Sequence, residues 1–379
     1  MYKNLRYYHS DKLSKVKLGN ICSITGGYAF DSSKMKSKGE YQIIKMGSLY
    51  NGVLDLTRNP SFIDNPTKKE LEYLIHENDI LITLTGTVNK KDYDYTIQLH
   101  NPNNLLLNQR CALIRPLNIN EKYLFYLLNS NNFFKQFYAS STGGTGNQTN
   151  VSTNDMLNFN MYITNEKNQI IIGEFLNKID QRIQTQIKII DSISSQKKQI
   201  RNILFNDIHQ TPNCCVQDYV IYEQPQKYIV HDSDYLPYSK SLIPVLTANQ
   251  SFVLGYTSEN DGIYKKGDCI IFDDFTNESK YVNFPFKIKS SALKILQTKE
   301  GLLLKFFYEY LQFLNFAAIN HKRHYLSEVA ITEINVPDLK KHSYVCKVLS
   351  SVDIKLKNEE IILKNYKLQK HFLLANLFV

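Results

Sequence analysis

Between Glu174 and Thr211 the chain contains neither Gly nor Pro, and apolar residues recur at steps of three and four. The stripe runs through Ile172, Leu176, Ile179, Ile183, Ile187, Ile190 and Ile193, and resumes at Ile200 and Leu204. That spacing is close to a heptad and predicts a long amphipathic helix, ended by Thr211-Pro212. The last stretch, Asp338–Val379, also lacks Gly and Pro. Its stripe is Val345, Leu349, Val352, Leu356, Leu363, Tyr366, Leu373 and Leu377, with Glu359 and Lys370 at intervening heptad positions. Polar residues on such a seam cost stability and can fix register.

The two stretches are copies of each other. Gly173–Asn206 lies over Cys346–Val379 without a gap, and identical pairs include Leu176/Leu349, Asp180/Asp353, Gln196/Gln369, Lys197/Lys370, Leu204/Leu377 and Phe205/Phe378. An internal repeat of this size means the chain is built twice, as a globular unit followed by a long helix. Each helix of ~34 residues spans about 50 Å, and pairing the two is the simplest way to cover both stripes.

The segments between the helices read as α+β. Strands are expected at Tyr41–Met46, Asp79–Thr85 and Arg110–Arg115, and one helix at Tyr123–Phe137. In the second segment strands are expected at Ile243–Thr247, Asp268–Phe272 and Ala292–Leu296, and a helix at Leu302–Leu314. The segments echo each other: Asn78-Asp79 against Gly267-Asp268, the six residues from Asn108 against those from Ile288, and Asn150-Val-Ser against Tyr325-Leu-Ser. The expected fold is α+β, two globular domains (1–163 and 212–337) separated by two long helices (164–211 and 338–379) packed as an antiparallel coiled coil in a pseudo-two-fold arrangement.

Composition narrows the partners. The chain has 379 residues, is 43% apolar and 21% charged, and carries a net charge of +9. It is globular in character, and its basicity makes nucleic acid the first partner to consider. Its six cysteines form no C-x-x-C pair, so no metal site is expected. The N-terminus lacks the apolar core of a signal peptide and no run is long enough to span a membrane, so the expected location is the cytoplasm.

Segments that imitate catalytic motifs are incomplete. Asn59-Pro60-Ser61-Phe62 lacks the second Pro of the amine-holding motif of amino-methyltransferases, and the Gly cluster Thr142–Gly146 lacks the Gly-Lys-Ser/Thr ending of a phosphate loop. Asp274, Glu278 and Lys280 imitate a metal-dependent nuclease set with tight carboxylate spacing. No catalytic residue is assigned. The DNA-binding candidates are Gln109 and Arg110 before a strand, and Asn147, Gln148, Asn150 and Ser152 after the Gly cluster. Amides pair bidentately with adenine edges and Arg with guanine. The basic groups Lys90-Lys91, Lys265-Lys266 and His321-Lys322-Arg323-His324-Tyr325 suit phosphates, and Lys280, Lys289 and Ser290 join them in the second unit.

Longer strings resemble the specificity subunit of type I restriction–modification systems, across essentially the whole chain. They include Lys17–Gly27, Asn78–Leu81, Leu107–Leu113, Ser141–Ser152, Glu223–Val230, Ile243–Thr247, Phe272–Thr276 and Tyr281–Ser291. The resemblance implies two target recognition domains, each reading one half of a split site in double-stranded DNA, with the helices fixing the unread gap. It implies two modification subunits that methylate adenine N6 with S-adenosylmethionine. Restriction motor subunits would add ATP- and Mg-dependent cleavage, while this chain binds no cofactor. Other readings stay open: a coiled-coil adaptor without DNA specificity, a recognition subunit serving a fused restriction–methylation enzyme in trans, and a nuclease using Asp274, Glu278 and Lys280. Replacing His321, Lys322, Arg323 and His324 with Ala is expected to weaken DNA binding and flatten its salt dependence; an unchanged salt slope removes the cluster from the contact surface.

Overall fold

In the computed structural model the described residues are 13–378, apart from 51, 89, 91, 94–95, 144–147, 233, 248–251 and 317–324. The chain divides into two compact units: residues up to Gln186 together with those from Ile362 on, and Ile187–Ile361. This division cuts across the linear module-and-spacer scheme, because each unit takes part of each long helix.

In the first unit a four-stranded antiparallel sheet has the order Cys22–Gly26, Cys111–Pro116, Ile80–Thr83, Thr96–Gln98. A second sheet sets Leu105–Leu107 parallel to Tyr41–Ile44, which runs antiparallel to Phe62–Ile63. Ser14–Lys17 pairs with Asn160–Ile163 and ties the start of the module to its end. Every residue of Ile80–Thr83 is buried. A strand covered on both faces reads as a continuous apolar run rather than an alternation, which is why this segment shows no period of two.

The second unit repeats these sheets. Val220–Glu223, Leu293–Thr298, Cys269–Asp273 and Ser279–Val282 form the four-stranded sheet. Lys287–Ile288 lies parallel to Ile243–Leu246, itself antiparallel to Val253–Thr257. Cys214–Cys215 pairs with Glu333–Ile334 as the closing ladder. Asn78 and Gly267, with φ of 66° and 95°, make the same left-handed turn ahead of matching strands. By pairing, Cys111 (opposite Thr83) answers Leu293 (opposite Asp273), so the Ala-Leu echo at 112 and 292 is two residues out of step. A shift of two keeps each side chain on its face of the strand, which is how the sequence alignment goes astray there.

One expected helix is two. Glu121–Leu127 and Asn131–Ala139 are separated by a break where the buried Ser130 hydroxyl accepts the Phe133 N–H at 3.2 Å and caps the second helix. Asn129 donates its side-chain amide back to Phe125 O. Two consecutive residues that favour local backbone bonds outweigh the apolar period across the gap. Its counterpart Leu304–Leu314 is continuous and ends at Asn315, a left-handed C-cap.

The long helices are Glu166–His209 and Leu339–Leu377. In the second unit Lys197 meets Asp353 and Asp207 meets Lys341, so the segments run antiparallel there. In the first unit Asp180 meets Lys370, while Phe378 packs on Tyr123, whose backbone lies against Gly173; that pairing is also antiparallel. One seam position differs from expectation. Gln186 is buried and Ile187 only half-buried, so the first stripe keeps a strict alternation of three and four through Gln186, Ile190, Ile193 and Lys197. The helix honours the heptad even where it places an amide inward, because one residue of slippage rotates every later position off the seam.

Phe205, against Phe306, Tyr310 and Phe313, centres the core of the second unit, and its burial contributes roughly 1.5–3 kcal/mol. His342 lies in this core, fully buried against the Phe306 ring at 4.3 Å, with neither ring nitrogen hydrogen-bonded. Burial lowers its pKa, and Asp338 opposes that only in part. The folded protein therefore holds His342 neutral where the unfolded chain takes up a proton, so stability is full above about pH 6.5 and falls as pH drops below it. His342→Leu is expected to raise stability by ~1–3 kcal/mol and to flatten melting temperature between pH 5 and 7. A lowered melting temperature at both pH values contradicts this.

Candidate nucleic-acid interface

The first unit's candidate residues gather where a turn and a hairpin meet. Leu105–Leu107 leads through Asn108, Gln109 and Arg110 into Cys111–Pro116. Asn108 N–H donates to Ile44 O at 3.0 Å and Gln109 N–H to Tyr28 O at 2.9 Å. Arg110 sits at φ 73°, a conformation that costs a residue with a Cβ about 1–2 kcal/mol, and its carbonyl accepts Leu84 N–H at 2.8 Å. A Cβ on Gly27 would collide with the Asn108 carbonyl, so Gly is required where the chain passes this turn. Anchored on both sides, the turn keeps its strained backbone and leaves Gln109 and Arg110 exposed.

Beside it, Thr85–Thr87 pairs with Gln148–Asn150, and Thr142–Gly143 completes a small sheet. Thr149 is buried while Gln148 and Asn150 are exposed, so the period of two presents both amides on one face. Thr85 Oγ1 donates to Asn150 Oδ1 at 2.8 Å. A hydroxyl chain holds the hairpin from beneath. Tyr93 OH donates to Ser141 Oγ at 2.6 Å, Ser141 Oγ bonds Thr149 Oγ1, and Thr149 Oγ1 reaches Thr142 O at 2.9 Å. The Tyr93 ring covers Gly86 so closely that any Cβ there would strike it. Ser152 caps the helix Thr153–Leu157, accepting Asn154 N–H at 3.2 Å, and Lys90 is exposed.

In the second unit the candidates are more scattered. Lys289 and Ser290 are exposed on the turn equivalent to Asn108–Arg110, with Lys289 N–H donating to Leu246 O at 2.9 Å. Lys280 is exposed on Ser279–Val282, and Lys265 is exposed. Lys266 is held by both Glu223 oxygens at 2.9 Å, and that hydrogen bonding raises its pKa. Tyr325 is a core residue, 2% exposed, packed on Phe272 and Tyr222. Lys91, Asn147, His321, Lys322, Arg323 and His324 lie outside the described residues.

Of the nuclease-like set only Asp274 is taken up by the core, while Glu278 and Lys280 are exposed. Asp274 is buried, accepts Tyr325 N–H at 2.8 Å and pairs with buried Lys294 at 3.5 Å. Among the described residues, His231, Glu259 and Asp261 could converge on a cation. The buried Lys287 ammonium already serves that place, 2.5 Å from Glu259 Oε2 and 2.9 Å from Asp261 O.

Sequence reasoning missed Thr85, the Tyr93–Ser141–Thr149 chain and a buried charge cluster under the long helices. In that cluster fully buried Glu309 meets Lys197 and Arg201 at 2.9 Å and Lys305 at 3.4 Å. The available signal was Lys197 on an apolar seam, which demands a carboxylate nearby. No helix among the described residues is long and apolar enough to cross a membrane.

Residues 11–194 match the family described as Type I restriction modification DNA specificity domain. Over 122 residues the chain is 46% identical to the specificity subunit of the type I restriction enzyme EcoR124I/EcoR124II of Escherichia coli. That stretch is 31% of this chain and 30% of the relative, so the match spans under a third of the relative's length. Two solved structures are similar over nearly the whole chain. The S subunit of a type I restriction–modification system from M. genitalium has a TM-score of 0.56 at 14% identity, covering 97% of this chain and 96% of that one. A chain from a study of complex assembly and conformational transition of the type I R-M system has a TM-score of 0.53 at 13% identity, covering 96% of each. At these identities the likeness is one of fold, and the α+β architecture with long helices is that fold.

The left-handed Arg110 gives a direct check on whether this turn is kept for stability. Arg110→Gly is expected to be about 1 kcal/mol more stable than Arg110→Ala, measured by chemical denaturation. Equal stability of the two variants places the strain elsewhere.

Proposed function

We propose that this chain, whose residues 11–194 belong to the family of type I restriction modification DNA specificity domains, is the DNA-reading subunit of a type I restriction–modification complex. The observation that carries the reading is the duplication. Two units share one sheet topology, and each presents an exposed polar turn at the same place in that topology. Each unit reads one half of a split site in double-stranded DNA. In the first, Arg110, Gln148 and Asn150 supply the donor and acceptor groups that distinguish base edges. In the second, Lys280, Lys289 and Ser290 occupy the corresponding role, and Lys90 and Lys265 meet phosphates.

The chain makes and breaks no bond in this reading. Two methyltransferase subunits bring S-adenosylmethionine to adenine N6, and motor subunits bring ATP and Mg for cleavage, in the cytoplasm. The net charge of +9 supports the nucleic-acid partner. The commitment of Asp274 to Lys294 and Tyr325 speaks against the nuclease alternative.

Single-molecule methylome sequencing of the source cell, with the gene intact and deleted, tests the proposal. Loss of one split N6-methyladenine motif on deletion is the expected result, and an unchanged methylome overturns it. With the motif known, Arg110→Ala is expected to relax one base position in one half-site, costing ~1–3 kcal/mol of discrimination there. The other half-site stays unchanged. A uniform loss across all sequences would instead make Arg110 a phosphate contact.

A further inference from the structure

The internal repeat places the same two charges on each long helix. Asp180 and Lys197 are 17 residues apart on the first, and Asp353 and Lys370 are 17 residues apart on the second. In the first unit Lys370 meets Asp180 at 2.6 Å, and in the second Lys197 meets Asp353 at 2.5 Å. Each pair is the repeat image of the other. Both lysines stand at heptad positions of otherwise apolar stripes, and the side chains are only 11–33% exposed. These are not solvated surface pairs.

A third group from the same unit's globular part completes each pair. Tyr126 OH donates to Asp180 Oδ2 at 2.7 Å, and Lys370 Nζ lies 5.6 Å from the Tyr126 ring centre. Glu309 stands at the matching place in the helix of the second unit, 2.9 Å from Lys197, and Lys305 reaches Asp353 at 2.9 Å. The apolar stripes alone do not choose between registers, because a heptad slip brings apolar positions opposite apolar positions again. The charges do choose. A slip of one heptad sets Asp180 against Leu363 or Leu377 and Asp353 against Ile190 or Leu204, so each carboxylate loses the lysine of the facing helix.

We infer that Asp180–Lys370 and Lys197–Asp353 are a duplicated register lock. On the proposed reading of the chain as the subunit that recognises a split site, these four are positioning residues that set the unread gap. They touch no base. The identity of the half-sites belongs to the exposed turns and the length of the gap to these charges.

The test uses the full chain with spin-labelled noncanonical residues at the exposed positions Lys178 and His371, both in the first unit. Wild type is expected to give one narrow distance. Asp180→Lys with Asp353→Lys, which sets cation against cation at both places, is expected to broaden it or lengthen it by a few Å, because a slip of one heptad (about 10 Å along the axis) acts on labels that start almost opposite each other. Adding Lys370→Asp re-forms one pair and is expected to return the wild-type distance. A narrow wild-type distance in the double variant overturns the lock, as does failure of Lys370→Asp to restore it.

Methylomes of the same strains supply the functional readout. The double variant is expected to methylate the same half-sites with more than one gap length, and the restored variant with one. A single unchanged gap in a strain whose distance has broadened overturns the positioning role. Absence of any split motif in the wild type refutes the specificity-subunit reading instead, and the distances still decide the lock.

Discussion

A helix that carries an apolar stripe for ten turns cannot stand alone in water, and both long helices carry one. Covering those stripes is the demand that ties the helices to the globular parts. Leu176, Ile179, Ile183 and Leu373 are buried in the first unit, and Ile193, Phe205, Ile208, Val345 and Leu349 in the second. The globular parts take a share of this work. Tyr123 packs on Phe378, and Phe306 and Tyr310 on Phe205, one of the residues identical in the repeat with Phe378. The helices are therefore walls of the two cores, not tethers between finished domains. That is the physical reason the compact units divide near Gln186 and Ile361, in the middle of each helix.

Covering a stripe is a demand on area, and area alone is a poor judge of register. The polar residues on the seam supply what it lacks. Burying Lys197 and Glu309 carries a desolvation cost that pairing offsets only when geometry is good. The second unit meets that condition with three cations around one fully buried carboxylate. Asp353 shows the balance directly. Burial pushes its carboxyl up, hydrogen bonds from Lys197 and Lys305 pull it down, and the pull wins, leaving its pKa below the ordinary value. The charge is thus retained in the folded state at neutral pH, and would be lost only as pH falls below the usual carboxylate range.

Much of the helical framework was legible from periodicity, because a heptad stripe is a long signal repeated many times. The repeat made it more secure, since Lys197 and Lys370 interrupt both stripes at one place. Short-range competition was harder to read. The pattern over Tyr123–Phe137 is helical throughout, yet Asn129 and Ser130 break it by bonding the nearby backbone. Ile187 was preferred to Gln186 on hydrophobicity, although helical geometry decides which residue faces inward. At the candidate interface the difficulty was chemical. Tyr325 follows a basic run and looks like part of it, but an aromatic ring gains more from the Phe272 and Tyr222 pocket than from water. Lys266 looks free until Glu223, far away in sequence, is brought beside it.

The same physics explains where the two units are free to differ. Positions inside the sheets answer one another closely, as Cys111–Pro116 answers Leu293–Thr298, since a change there opens a cavity or strains a neighbour. The turn ahead of that strand is under no such restraint beyond its backbone bonds. One unit uses Asn108, Gln109 and a strained Arg110; the other uses Lys289, Ser290, Ser291 and Ala292 before its strand resumes. In both, the turn is pinned by its first N–H to the end of the neighbouring strand, Ile44 O or Leu246 O. The side chains beyond the pin project from a fixed backbone and owe nothing to the core. A scaffold that holds the backbone and releases the side chains can change what it reads without refolding, and duplicating it gives two such turns that diverge independently.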